Sequence, residues 1–311
     1  MKSLDCFVGS KRWCAAALLG ASVFVAEPAA AASGVMHVFS MVMSEDHYGT
    51  IVMSGDGYLD CAGHAIYNSN QPAVCWDDDA GTFQCGVMIE PSFDEWIIDI
   101  KNCRIENFVH GITVSYSGAD VWIYNNQLFN NDDGLHTTAS YEFNNFGNDI
   151  SWNDDVGVRF FQGGMNLRTT WVWWNGVDGI DGDQFWGALI QSNHMQENGD
   201  HAIEFDDGQY ANVYGNYIDG FEAGGEAIEM ARDGIQLERI DHFNVDGNTV
   251  RDAGRYGIYL RDSLHGTVTN NNVAGSGRIS AGSPDCYRRN GSSMTFSGNS
   301  FGTQTGCSTV P

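Results

Sequence analysis

Four carboxylates stand at spacings from which chemistry can be built: Asp181 and Asp183, then Glu204 and Asp206. The pairs are offset by 23 residues, so in an extended chain that repeats with that period all four side chains share one face as a two-by-two block. Residues two apart on a strand are about 6.7 Å apart, neighbours on adjacent strands about 4.8 Å, and the diagonals about 8 Å. Like charges this close destabilise a sheet unless they share a proton, hold a cation or stay well solvated. Two chemistries follow. In glycoside hydrolysis, one carboxyl with a raised pKa protonates the leaving oxygen while a second activates water, and the diagonals suit the inverting separation of about 6.5–9.5 Å. Alternatively Asp183 and Asp206 hold Ca2+, the ion neutralises a uronate, and a nearby base removes the adjacent proton. The cofactor expectation is accordingly none, or Ca2+.

The elements that must position these residues show as a repeat. A Gly/Ala-apolar-x-apolar unit begins at Gly111, Gly134, Gly157, Gly179, Ala202, Ala227 and Gly257, at intervals of 23, 23, 22, 23, 25 and 30 residues. Taking the residue after each Gly/Ala as inward gives Ile112, Leu135, Val158, Ile180, Ile203, Ile228 and Ile258, an apolar stack that supports the phase. The first outward column is then Thr113, His136, Arg159, Asp181, Glu204, Glu229 and Tyr259. The second is Ser115, Thr138, Phe161, Asp183, Asp206, Ala231 and Arg261. His136, Arg159 and the four carboxylates are the predicted catalytic set, and Glu229, Tyr259 and Arg261 the predicted substrate contacts. Lysine is not available as a base, because Lys101 is the sole lysine after residue 32 and lies outside both columns.

A second column, Asn126, Asn148, Asn193, Asn216, Asn248, Asn271 and Asn299, falls between the repeat units. Asn side chains stacked at about 4.8 Å can hydrogen-bond along a solenoid axis, which favours a parallel β-helix over a leucine-rich horseshoe in a chain poor in leucine. The segments Tyr58-Leu59-Asp60-Cys61-Ala62-Gly63-His64-Ala65-Ile66 and Ile100-Lys101-Asn102-Cys103-Arg104-Ile105, leading to Gly111-Ile112, resemble the right-handed parallel β-helix, or pectin-lyase-like, superfamily. The resemblance covers roughly residues 55–301. It implies an all-β single-stranded right-handed solenoid and a polysaccharide ligand. It does not imply one reaction, since the superfamily includes lyases, epimerases, hydrolases and non-catalytic surface proteins.

Composition bounds the partners. With Lys+Arg 15 against Asp+Glu 40, the net charge of −25 repels nucleic acid. No apolar run is long enough for a membrane span. Lys2, Lys11 and Arg12 precede an apolar segment from Trp13 to Ala26 and the small-residue run Ala29 to Ala32, the pattern of a secretory signal peptide over residues 1–32, with the β-helix domain at 33–311. A secreted or periplasmic monomer is expected. Six cysteines remain after residue 32, an even number that argues for disulfides in an exported chain; proximity favours Cys75 with Cys85 and Cys286 with Cys307, leaving Cys61 with Cys103. Trp171, Trp173 and Trp174 share a segment and cannot all face inward, so Trp171 is a predicted sugar-stacking residue. Asp132-Asp133, Asp154-Asp155 and Asp178, just before the repeat glycines, are assigned to turns.

The expected function is polysaccharide cleavage by paired carboxylates. The alternatives are a Ca-dependent lyase or epimerase acting on a polyuronate, and a non-catalytic glycan-binding β-helix.

Overall fold

The computed structural model describes residues 33–69, 73–77, 81–92, 94–140, 142–220 and 232–308; the expected signal peptide and Glu229 lie outside them. The described chain is a right-handed parallel β-helix, with strands alone and no helix. One coil runs through Asp120–Tyr124, Gln127–Phe129 and Asp133–Thr138, and the next begins at Glu142–Phe146. These strands define three faces, in that order. The first face is an 11-stranded sheet, and the second and third together form a 22-stranded one.

The inward positions explain the winding. Ile112, Leu135, Val158, Ile180, Ile203 and Ile258 are all fully buried, as the alternation predicts. The repeat glycines are forced by contact between coils: a Cβ on Gly179 would lie 2.7 Å from the Ala202 carbonyl oxygen and 2.8 Å from Asn198 Nδ2. Gly182, which separates two of the carboxylates, has a different cause. A Cβ there would sit 2.3 Å from the ring of Phe160, which packs against Phe185 and Phe205 inside the same coils.

The Asn column forms a buried ladder. Asn193 Nδ2 donates to Asn216 Oδ1 at 3.0 Å, and Asn216 to Asn248 and Asn248 to Asn271 in the same way. Thr170 interrupts it, its backbone N–H donating to Asn193. A parallel ladder that the sequence reading does not contain runs through Asn131, Asn153, Asn175 and Asn198 at the corner before the third face. Each Asn also donates to a carbonyl of the preceding coil, as Asn175 does to Ile150, and its oxygen accepts from a backbone N–H, as Asn198 does from Asn175, so the side chains pair backbone groups at the corner.

The disulfides join Cys61 to Cys103, Cys75 to Cys85 and Cys286 to Cys307, the pairing proximity favours. One repeat assignment is corrected. Ile203 pairs with Ile235, Glu204 with Gln236 and Asp206 with Glu238, so the rung expected at Ala227 to Met230 is filled by Gly234 to Leu237. The intervals of 25 and 30 residues become 32 and 23, and the run at Ala227 to Met230 lies outside the described residues.

Candidate functional site

The third face carries both outward columns in the expected register. Thr113, His136, Arg159, Asp181, Glu204, Gln236, Tyr259 and Tyr287 are successive partners in one; Asp183, Asp206, Glu238 and Arg261 are successive partners in the other. Gln236 and Glu238 therefore stand where Glu229 and Ala231 were expected.

A third column lies immediately behind the first, at the residue preceding the repeat glycine or alanine; Val156 and Tyr256 hold it in two coils, and in the others it is an Asp or His: His110, Asp133, Asp178, His201 and Asp233. All five are buried. Asp133 and Asp178, assigned to turns, are thus buried and bonded to side chains of the site, while Asp132 and Asp154 are exposed. The missed signal was periodic and lay one residue N-terminal to the unit that defined the repeat.

Asp133 organises one end of the site. It is 1% exposed, and its Oδ2 accepts from Arg159 Nη1 at 3.0 Å and faces His136 Nδ1 at 3.2 Å and His110 Nε2 at 3.6 Å. Burial alone would raise its pKa; the His136 hydrogen bond and the Arg159 charge outweigh that and hold it below the usual value. His110 and His136 stack with ring centroids 4.2 Å apart. Arg159 also donates to Asp155, 3.0 Å from Nη2, and to Asp181, 3.3 Å from Nε. One guanidinium is thus shared among three carboxylates.

His201 organises the other end. It is 0% exposed, its Nδ1 lies 2.9 Å from Asp178 Oδ1 and 3.3 Å from Glu204 Oε2, and its Nε2 lies 3.9 Å from Asp233 Oδ2. Burial opposes its charge, but the bonds to Asp178 and Glu204 raise its pKa to about 10, so it is an imidazolium at neutral pH. Asp233 is also fixed by Arg255 at 2.5 Å, and Arg232 lies 3.1 Å from Asp200.

Between these ends, two adjacent carboxyls are driven apart in acidity. Burial raises Asp181 to about 6, with Asp178 and Glu204 adding to the shift and Arg159 opposing it. Glu204 is lowered, chiefly by its His201 hydrogen bond, and its Oε1 accepts from Gln236 Nε2 at 2.6 Å. One rung therefore offers a proton near neutrality and the next an ionised carboxylate.

The second column is organised differently from the expected block. Asp206 accepts from Arg239 Nη2 at 2.6 Å, and Arg239 also pairs with Asp207 and Glu238. Arg239 thus balances part of the block, while Asp183, Asp206 and Asp207 still bring three carboxylate oxygens within 4.8 Å of one another, the geometry of the expected Ca2+ position. Asp183 and Asp206 are both raised, in each case mainly by burial. Arg261 pairs with Glu238, and Tyr259, 7% exposed, joins Tyr256 and Tyr287 in a cluster of three mutually stacked rings with Arg255 over its own. Trp171 is 52% exposed but sits on the second face, stacked on His194, so it does not join the carboxylates.

Residues 51–224, over half the chain, match the family described as periplasmic copper-binding protein (NosD), and residues 233–309 match the right handed beta helix region. No sequence among the curated proteins matches the chain. Among solved structures, a variant of the periplasmic alginate epimerase AlgG superposes with a TM-score of 0.55 at 11% identity, over 80% of this chain and 61% of that one. A double variant of the same epimerase gives 0.56 at 10%, over 88% and 70%. The chain thus spans about three fifths of the first AlgG structure, and at these identities the likeness concerns the fold.

Proposed function

The chain belongs to the NosD family, and from that membership and the geometry of the third face we propose that it is an exported enzyme that hydrolyses a polysaccharide between Asp181 and Glu204. The observation that carries the reading is the divergence of those two carboxyls on adjacent rungs, one raised to about 6 and the other lowered. Titratable neighbours driven apart in this way mark an acid and its partner base or nucleophile. The disulfides, the family's periplasmic description and the AlgG fold favour export and a glycan.

Asp181 donates its proton to the leaving glycosidic oxygen as the bond to the anomeric carbon breaks. Glu204, whose charge His201 and Gln236 stabilise, attacks that carbon; the Asp181 carboxylate then takes a proton from water, which releases the sugar. Adjacent rungs are about 4.8 Å apart, nearer the retaining separation of about 5–5.5 Å than the inverting one. The diagonal partner Asp206 is instead engaged by Arg239.

The surroundings favour a neutral glycan. Asp133, Asp155, Asp178, Asp181, Asp200, Glu204 and Asp233 outnumber Arg159, His201, Arg232 and Arg255. The copper of the family's description does not fit here: Asp133 Oδ2, which both imidazoles approach, already accepts from Arg159, and His201 is itself a cation. A second reading, elimination or epimerisation of a polyuronate, is favoured by His136 and Arg159 standing as register partners.

A glycan panel read by reducing ends, by ultraviolet absorbance of unsaturated products and by proton NMR separates these chemistries. Reducing ends without unsaturation, with net retention at the anomeric carbon, are expected. Asp181→Asn and Glu204→Gln should each cost at least about 100-fold in kcat/KM. Full activity in either variant, or unsaturated products, would overturn the hydrolase assignment.

A further inference from the structure

On the first face, in the strands that follow Glu238 and Arg261 of the second outward column, Asp241, His242 and His265 converge. Asp241 opens the strand Asp241–Asp246 and His265 lies in the next rung, Leu264–Thr269. Asp241 pairs with Leu264 and Phe243 with Gly266, so the two histidines fall opposite one another. Both have positive φ, 58° and 50°, as does Tyr210 one rung earlier at 58°. Non-glycine residues adopt this conformation at a cost, and it turns the side chains of one column to the same side of the strand. The imidazoles stack 5.0 Å apart, and Tyr210 stacks on His242 at 5.3 Å.

Three donor atoms meet there. Asp241 Oδ1 lies 2.7 Å from His265 Nδ1 and 3.1 Å from His242 Nδ1, and all three atoms lie within 4.8 Å of one another. Ligands bound at about 2.0–2.2 Å to one ion are themselves about 3 Å apart. The two separations from Asp241 Oδ1 already have that size and the two Nδ1 atoms lie within 4.8 Å of each other, and no Arg or Lys is paired with Asp241 among the described residues, in contrast to Asp133 and Asp206. All three side chains are between 38% and 51% exposed, which leaves an approach from solvent and room for water in the remaining positions.

We propose that Asp241, His242 and His265 form a surface site for a divalent late transition metal, with Cu2+ bound more tightly than Zn2+. Two imidazole nitrogens and one carboxylate oxygen are poor ligands for Ca2+ or Mg2+, and a given N/O set binds Cu2+ above the other first-row ions. The site lies outside the segment that matches the NosD family and does not depend on the hydrolase reading. Binding replaces any proton on the two Nδ1 atoms, so it weakens as pH falls and the imidazoles protonate.

The test uses untagged, metal-stripped protein titrated with CuSO4 at pH 7.5 and followed by calorimetry and electron paramagnetic resonance. One saturable equivalent is expected, with hyperfine structure from two nitrogens. His265→Ala and His242→Ala should each weaken Cu2+ by at least about 10-fold. Both residues are half-exposed, so the melting curves of the metal-free variants should stay in place, and glycan cleavage is the independent readout of the third face. Absence of saturable binding, or binding unchanged in the His242→Ala/His265→Ala double variant, would overturn the site.

Discussion

Replacing His201 by Gln tests the charge balance beneath the proposed acid–base pair. The imidazolium faces Asp178 from the preceding rung, Asp200 and Glu204 from its own coil and Asp233 from the next, with Arg232 and Arg255 as the nearby cations. Gln keeps a donor but removes the charge, leaving buried carboxylates undercompensated, a change that typically costs about 3–5 kcal/mol. Linkage gives the same order: a rise from 6.5 to about 10 is about 3.5 pH units, at about 1.4 kcal/mol each. A fall in Tm on the order of 10 °C at pH 6 follows. The folded-state value lies above the unfolded one, so this stabilisation is whole below pH 6.5 and is lost as pH rises through about 10. Thermal denaturation of wild type and His201→Gln across pH 6–10 should therefore show the gap closing toward the alkaline end. A gap of constant size would mean that His201 is neutral in the fold, and the account of Glu204 would fall with it.

The pH profile of kcat/KM should decline above about pH 6, where Asp181 loses the proton it donates; a profile flat to pH 8 would exclude it as the acid. Asp133→Asn should leave Arg159 divided between two carboxylates, lower the Asp181 pKa and move that limb to more acidic pH, whereas Asp132→Asn, at an exposed turn, should leave the profile in place. Asn175→Ala removes the bonds to Asn153, Asn198 and the Ile150 carbonyl from a fully buried corner, and should cost on the order of 3 kcal/mol in denaturant unfolding; a loss below 1 kcal/mol would mean the ladder is not a stabilising element.

The parts legible in the sequence were those that every coil repeats. Ile180 and Ile203 could be phased because each coil needs an apolar residue there, and once they were phased, the outward positions of Asp181 and Glu204 followed from alternation alone. Cysteine proximity found Cys75–Cys85 and Cys286–Cys307, 10 and 21 residues apart, and Cys61–Cys103, 42 apart, followed as the remaining pair. Three things escaped. Residues 221–231 contain an Ala-Ile-Glu-Met run indistinguishable by pattern from a true rung, and only the pairing of Ile203 with Ile235 separates them. Arg239 could not be placed over Asp206, because it lies just past the strand Ile235–Glu238, where alternation no longer predicts direction. His110, Asp133, Asp178 and His201 were hidden by their chemistry: before a glycine, Asp reads as a turn former, and burial is invisible to that rule.

The hidden column also explains how a regular solenoid can hold an irregular site. Adjacent rungs impose one spacing on every outward residue, so the strand lattice alone would give Asp181 and Glu204 equivalent surroundings. Their acidities diverge because of what stands behind and beside them. Asp181 has Asp178 at the buried position of its own coil and Arg159 shared with two other carboxylates, whereas Glu204 has His201 at the equivalent position. Exchanging one buried residue between Asp and His, at a position where Cα geometry is fixed by the glycine or alanine that follows, changes the charge on the neighbouring outward carboxyl without moving it. Specific chemistry on this face is therefore set two layers deep, and the pair Asp178/His201 carries as much of the proposed mechanism as the pair that would touch the glycan.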